Sequence, residues 1–186
     1  MNILKLLKQT NALLDGHFVL SSGLHSGQYL QCASVLKYPE YAQELCGQLG
    51  KKYSKEKIDL VIAPAMGGVL VGYELARTLG TRSIFTERKQ KKMQLRRNFN
   101  IKMSERVLVA EDVITTGGST KEVIDVVKSF GGKIAGVACL VDRSGKSNLF
   151  GDIPMQSLLK IDIQTYAPEA CPLCKKKIPI DKPGSR

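Results

Sequence analysis

Residues 107–120, VLVAEDVITTGGST, concentrate groups with an evident chemical use. A hydrophobic run delivers two adjacent carboxylates, Glu111 and Asp112, to its end, and a stretch of hydroxyls and glycines follows. Gly117 and Gly118 let the chain turn tightly and bring backbone amides near a ligand. Thr115, Thr116, Ser119 and Thr120 add hydroxyl donors. A helix starting there offers free N–H groups and the positive end of its dipole, which suits a phosphate. Carboxylates beside a phosphate repel it unless they hold something else, and sugar hydroxyls or a magnesium-bridged ligand resolve that conflict. An ordinary strand–turn–helix accounts for Ser119 and the glycines but not for the acid pair. A nucleotide P-loop is excluded because no GKS or GKT follows the glycines, and no GxGxxG occurs.

Three further groups carry charge or tight turns. Residues 87–106 hold Arg88, Lys89, Lys91, Lys92, Arg96, Arg97, Lys102 and Arg106 against Glu87 and Glu105. That density fits an anion clamp, although charge alone slightly favours a solvated loop. The APAMGG turn (63–68) suits pyrophosphate contact through amides, since Gly67 and Gly68 remove bulk; a plain strand-to-helix connection explains it equally well. An isolated Arg143 reads as a surface residue, but its place just past 140–142 moves it toward a site. The net charge of +11 implies anionic partners without separating nucleic acid from a polyphosphate. Cys32, Cys46 and Cys139 fall in apolar segments and read as small core residues. Cys171 and Cys174 form a single CxxC, half of a zinc ligand set. With His17 and His25 far away in sequence, it reads as no metal site, a dimer-shared one being the lesser alternative.

The elements that must position these groups follow from periodicity. Apolar residues at helical spacing (Ile3, Leu6, Leu7, Leu13, Leu14) predict an amphipathic docking helix at the N-terminus rather than a signal peptide. Ala42, Leu45, Cys46 and Leu49 predict a helix starting near Pro39 and ending near Gly50. Helices are also expected over 69–79, stopped by Gly80, and from Ser119, where Ser119 and Glu122 have capping-box spacing. Strands are expected over 58–63, 83–86, 107–110, 134–141 and 157–163. Strands alternating with helices predict an α/β fold with a parallel sheet covered on both faces. Ligands bind at the carboxyl ends of such strands, where loops 64–68, 111–120 and 142–146 lie. A chain of 186 residues supports one well-cored domain, and its apolar runs are too short to cross a bilayer. A cytoplasmic protein is the expectation.

VLVAEDVITTGGST resembles the phosphoribosyl-pyrophosphate signature of type I phosphoribosyltransferases. The resemblance implies that Glu111 and Asp112 meet the ribose hydroxyls, directly or through magnesium, and that the run Val113, Ile114, Thr115, Thr116, Gly117, Gly118 and Ser119 binds the same sugar donor, 115–119 holding its 5-phosphate. It adds Met66 and Gly67 to the donor's contacts and implies a non-proline cis peptide near Ala65–Met66. GHFVLSSGLHSGQYLQ (16–31) resembles the hood segment of the orotate branch, TERKQKK (86–92) its mobile catalytic loop, and LVDRSG (140–145) the strand end that faces the orotate carboxylate. By that likeness Thr115 and Arg143 recognise orotate, and Arg88, Lys89 and Lys92 bind pyrophosphate. Lys92, Lys89 and Asp112 are then the catalytic set.

The implied fold is the type I phosphoribosyltransferase fold: a central, mostly parallel sheet flanked by helices in one domain (1–186), with a hood of about 1–35 plus the C-terminal segment over the base site. The implied reaction is transfer of ribose-5-phosphate from 5-phosphoribosyl 1-pyrophosphate to orotate, giving orotidine 5'-monophosphate in UMP biosynthesis. The cofactor is Mg2+ held mainly through substrate, with no separate protein metal site. The expected assembly is a homodimer sharing the 86–97 loop across subunits, with neither nucleic acid nor membrane as partner. The sequence departs from the common orotate pattern at Ser21 and Gly67, where many relatives have lysine, at Gln94 in place of histidine, and at Glu111 in place of aspartate. LRRNF (95–99) and the CPLC tail resemble a subgroup from thermophilic bacteria and archaea. A purine phosphoribosyltransferase, or a non-catalytic regulator of this fold sensing the sugar pyrophosphate, are the alternatives.

Overall fold

In a computed structural model, which describes residues 2–20 and 22–183, the apolar runs become strands and the amphipathic stretches become helices. Ser21, one of the departures above, lies outside the described residues. In chain order the elements are α1 (Ile3–Gln9), β1 (Leu13–Val19), β2 (His25–Leu30), α2 (Ala33–Leu36), α3 (Pro39–Lys51), β3 (Leu60–Pro64), α4 (Gly67–Leu79) and β4 (Arg82–Lys89). They continue with β5 (Lys92–Leu95), β6 (Arg106–Ile114), α5 (Gly118–Ser129), β7 (Lys133–Asp142), β8 (Met155–Lys160), β9 (Thr165–Tyr166), a 3-10 turn at Pro168–Ala170 and α6 (Pro172–Lys175). The chain divides into two compact units, one from residues up to Lys37 together with those from Asp162 onward, the other spanning Tyr38–Ile161.

The larger unit is built on a sheet of order β5-β4-β3-β6-β7-β8, parallel throughout except for β5. Every residue of β3 is buried, as is β7 from Gly136 to Asp142, because parallel strands are covered on both faces. Alternate residues serve alternate faces. Leu60, Ile62, Val107, Val109, Val137 and Cys139 form one core with Val123, Ile124 and Val127 of α5. Cys32, Cys46 and Cys139 are all buried, and burial pushes the Cys46 thiol up to about 12.

Several boundaries differ from the sequence expectation, each for a local reason. α1 ends at Gln9, and Leu13 and Leu14 open β1 instead, since Asn11 adopts a positive φ of 54° that stops the helix. β6 runs through the acid pair to Ile114 rather than stopping at residue 110. The basic segment is not a loop at its start: β4 and β5 pair as a hairpin turning at Gln90 and Lys91, both at positive φ. No capping box forms at Ser119. α5 begins at Gly118 behind a left-handed Gly117 with no side-chain cap, and Glu122 turns to Arg88.

In the smaller unit β1, β2 and β9 form an antiparallel sheet. The C-terminal segment lies alongside β1, with Val19 N–H donating to Asp181 O (2.9 Å) and Asp181 N–H to His17 O (2.8 Å). This pairing overturns the reading that the CxxC lacks a histidine pair: His17, His25, Cys171 and Cys174 converge, their ligand atoms all within 4.8 Å of one another.

Candidate functional site

The chain enters the large sheet at β3, proceeds outward to β4, then returns to place β6 on the other side of β3. That reversal opens a crevice between the carboxyl ends of β3 and β6, the place where open α/β sheets bind ligands. Pro64 pairs with Thr86 and Ile114 with Asp142, so the ends of β3, β4, β6 and β7 share one edge of the sheet. The loops after β3, β6 and β7 therefore meet at one edge, as their positions in sequence suggested.

At this edge the 65–68 turn lies against the acid pair. The Ala65–Met66 peptide is cis, and Ala65 N–H donates to Thr86 O at 2.8 Å. A Cβ added at Gly67 would stand 2.9 and 3.0 Å from the two carboxylate oxygens of Asp112, and one at Gly68 would stand 3.0 Å from Glu111 Oε1. Both glycines are needed for this close approach. Glu111 is buried, whereas Asp112 is half-buried, its Oδ1 accepting Val113 N–H at 2.8 Å. Burial, reinforced by the adjacent Asp112 charge, pushes the Glu111 carboxyl up to about 9. The buried position therefore disfavours the charged form of Glu111. The family likeness put Asp112 alone of the two in the catalytic set, and the fold leaves Asp112 half-buried while it buries Glu111.

Beyond Ile114 the chain bends through exposed Thr115 and Thr116 into α5. Gly117 has φ +73°, and a Cβ there would press within 3.0 Å of Leu149 and Phe150, so only glycine makes this bend. The first-turn amides of a helix have no partners inside it. Here the N-cap residue, Gly117, has no side chain to cap them, Gly118 N–H makes a long 3.4 Å bond to Thr116 Oγ, no acid occupies the first turn, and Gly118 and Ser119 are exposed. A helix start of this kind can accept an anionic group.

Arg143 follows β7 directly, its N–H donating to Ile114 O at 2.8 Å, which sets it beside Thr115. Asp142, buried, accepts from Ser144 N–H (2.9 Å) and Ser144 Oγ–H (2.7 Å), fixing the turn that carries Arg143. Sequence reading missed this pair, although D-x-S is a turn signature. Arg143 Nε is buried without a hydrogen-bond partner among the described residues. Burial also lowers the Arg143 pKa. A buried guanidinium donor without an acceptor is costly, and a ligand carboxylate is the natural remedy.

The hairpin extends the same edge, because β4 continues three residues past Thr86. Its cations are not equivalent. Arg88 makes a bidentate pair with Glu122 of α5, both contacts at 2.8 Å. Arg97 makes a similar pair with Glu87, with Arg96 3.8 Å from the same carboxylate. Arg106 contacts Glu56. Lys89 and Lys92, facing each other across the hairpin, are exposed and have no ion pair among the described residues. Of the three residues assigned to pyrophosphate, the fold leaves the two lysines free and engages Arg88.

A family model described as the phosphoribosyl transferase domain matches residues 33–149. The chain is 54% identical over 185 residues to an orotate phosphoribosyltransferase of Desulforamulus reducens, covering 99% of this chain and 96% of that one. It is 50% identical over 184 residues to the orotate phosphoribosyltransferase of Thermotoga maritima, covering 99% and 98%. Among solved structures, the orotate phosphoribosyltransferase from Aeropyrum pernix superposes with a TM-score of 0.73 at 28% identity, covering 86% of this chain and 93% of that one.

Proposed function

The chain belongs to the phosphoribosyl transferase domain family, on its orotate branch, and from that premise we propose how its own residues divide the work of the reaction. The reaction joins orotate to the ribose-5-phosphate of 5-phosphoribosyl 1-pyrophosphate, yielding orotidine 5'-monophosphate and pyrophosphate in pyrimidine biosynthesis. A ring nitrogen of orotate displaces pyrophosphate from the anomeric carbon. Positive charge grows on the ribose and negative charge on the leaving group, so catalysis is mainly positioning and electrostatics.

Asp112 takes the ribose hydroxyls and faces the developing cation, while Thr115, Thr116, Gly117, Gly118 and Ser119 hold the 5-phosphate on backbone amides and hydroxyls. Glu111, protonated, supports Asp112 without adding charge against the phosphate. Met66 and Gly67 offer main-chain groups to the pyrophosphate, and Lys89 and Lys92 receive its growing charge. Lysine suits this as a mobile point cation. Arg143, with Thr115, takes the orotate carboxylate. The donor set fits magnesium carried mostly by substrate oxygens, since one half-buried carboxylate, Asp112, faces the crevice. Bound with pyrophosphate, the ion would offset leaving-group charge.

The observation that carries this reading is the Asp112 carboxylate seated on Gly67 beside a helix start whose N-cap is a glycine and whose first turn holds no acid. The exposed lysines of the hairpin tip support a homodimer in which the 86–97 segment serves a neighbouring site. The likeness to orotate phosphoribosyltransferases, enzymes of pyrimidine biosynthesis, supports a cytoplasmic setting; among the described residues no helix is long and apolar enough to cross a membrane. The test is loss of orotate absorbance with the sugar donor and magnesium. Turnover with orotate but not with adenine, hypoxanthine or xanthine is expected; the reverse would replace this reading with a purine enzyme.

A further inference from the structure

The second cluster of chemical groups lies in the smaller unit and takes no part in the reaction above. His17 on β1, His25 at the start of β2, and Cys171 and Cys174 at the start of α6 and within it come from three separate stretches of chain. His17 Nε2 lies 2.9 Å from His25 Nδ1, 3.5 Å from Cys171 Sγ and 3.7 Å from Cys174 Sγ, and Cys174 Sγ lies 3.3 Å from His25 Nδ1. With metal–sulfur bonds of about 2.3 Å and metal–nitrogen bonds of about 2.0 Å, a tetrahedral zinc site has edges of about 3.3 Å (N–N), 3.5 Å (N–S) and 3.8 Å (S–S). The four measured edges agree within about half an ångström.

Hydrogen bonding within the quartet does not account for its shape. His17 Nδ1 lies 2.9 Å from Ile178 O, and since a carbonyl only accepts, Nδ1 carries the ring proton and donates. Nε2 is then a bare lone pair, and three neighbours converge on it. One lone pair faced by another imidazole and two thiols is the arrangement a metal-binding histidine presents, and an Nδ1–carbonyl bond is the outer contact that orients such a histidine. His17, His25 and Cys171 are buried and Cys174 half-buried. Two thiolates and two neutral imidazoles around a divalent ion sum to zero charge, which a buried site tolerates. Four protein ligands leave no open position, the arrangement of a structural rather than a catalytic centre.

We propose that His17, His25, Cys171 and Cys174 bind one structural zinc ion that locks the C-terminal segment onto the β1–β2 hairpin. S2N2 donors in tetrahedral reach select zinc among the divalent metals by softness and geometry. The ion reinforces the main-chain bonds that run between Asp181 and the residues around His17. This site is independent of magnesium and of substrate.

The test uses the full chain, made without a histidine tag. Elemental analysis of the purified protein is expected to show about one zinc per chain. Replacing zinc by cobalt is expected to give the intense visible bands of a tetrahedral cobalt site with thiolate-to-metal charge transfer. The C171S/C174S double variant is expected to lose both the metal and the bands. Because that variant can fail to fold, wild-type protein is also titrated with a chromogenic zinc chelator while thiol reactivity is followed. Zinc release and exposure of two reactive thiols are expected to run together, with the melting temperature falling as metal leaves. A folded wild-type protein that contains no zinc and binds neither added zinc nor cobalt after reduction overturns the proposal. So does one equivalent of zinc that survives in a folded double variant, or a different metal in stoichiometric amount.

Discussion

Replacing Arg143 with methionine separates ligand recognition from fold maintenance, because the two respond with opposite sign. In the free protein the buried Nε–H has no acceptor among the described residues. Leaving such a donor unsatisfied costs about 1–3 kcal/mol. Methionine keeps most of the aliphatic stem and removes the donor, so the free protein gains up to that amount. For a chain of this size each kcal/mol moves Tm by roughly 2–4 °C, which predicts an unchanged or higher melting temperature. Orotate binding loses two charge-assisted hydrogen bonds of about 1.5–3 kcal/mol each. At about 1.4 kcal/mol per decade, the orotate KM rises roughly 10²- to 10⁴-fold, while the KM for the sugar donor stays within a few-fold. Steady-state kinetics with each substrate varied in turn, alongside thermal melting, measure both arms. A Tm several degrees lower with an orotate KM within about 3-fold of wild type would show that Arg143 supports structure rather than base recognition.

The other predictions concern the acid pair and the hairpin. Gly67→Ala pushes a methyl group into the Asp112 carboxylate; kcat/KM is expected to fall about 10- to 100-fold with little change in Tm, and unaltered kinetics would remove this contact from the mechanism. Lys92→Ala is expected to lower turnover about 100-fold or more while melting stays within a degree or so, since the side chain is exposed; comparable loss of activity and stability would count against its role. Glu111 has its carboxyl raised from an ordinary 4.5 to about 9. Between those values the folded chain keeps a proton that the unfolded chain releases, so stability falls as pH rises through that window and levels off above it. Glu111→Gln should therefore melt at a higher temperature than wild type, with the gap widening from about pH 5 to about pH 9. A gap that is flat or shrinks with pH means that Glu111 is ionised in the fold.

Much of the sheet was legible because buried parallel strands leave long apolar runs, and the Gly80 stop and the Ala65–Met66 turn fell where sequence placed them. The acid pair at the end of β6 and the glycine bend after it were legible because both are local features of one segment. The hairpin was obscured because cations crowd its turn and β5 is only four residues long, too short for the alternation of Met93 and Leu95 to stand out. The capping-box reading failed because Ser119 and Glu122 have the right spacing for it, yet a charge partner 34 residues away takes Glu122. The unequal burial of Glu111 and Asp112 is set by tertiary packing, which adjacent letters do not show. The histidine–cysteine cluster was missed for the most general reason. Its members are up to 157 residues apart, and only the docking of the chain's two ends brings them together.

Crystals grown with magnesium and the sugar donor would show where the donor sits. The 5-phosphate is expected on the amides of residues 116–119 and the ribose hydroxyls on Asp112. A donor found elsewhere in fully occupied crystals, with the 115–119 bend bare, would contradict it.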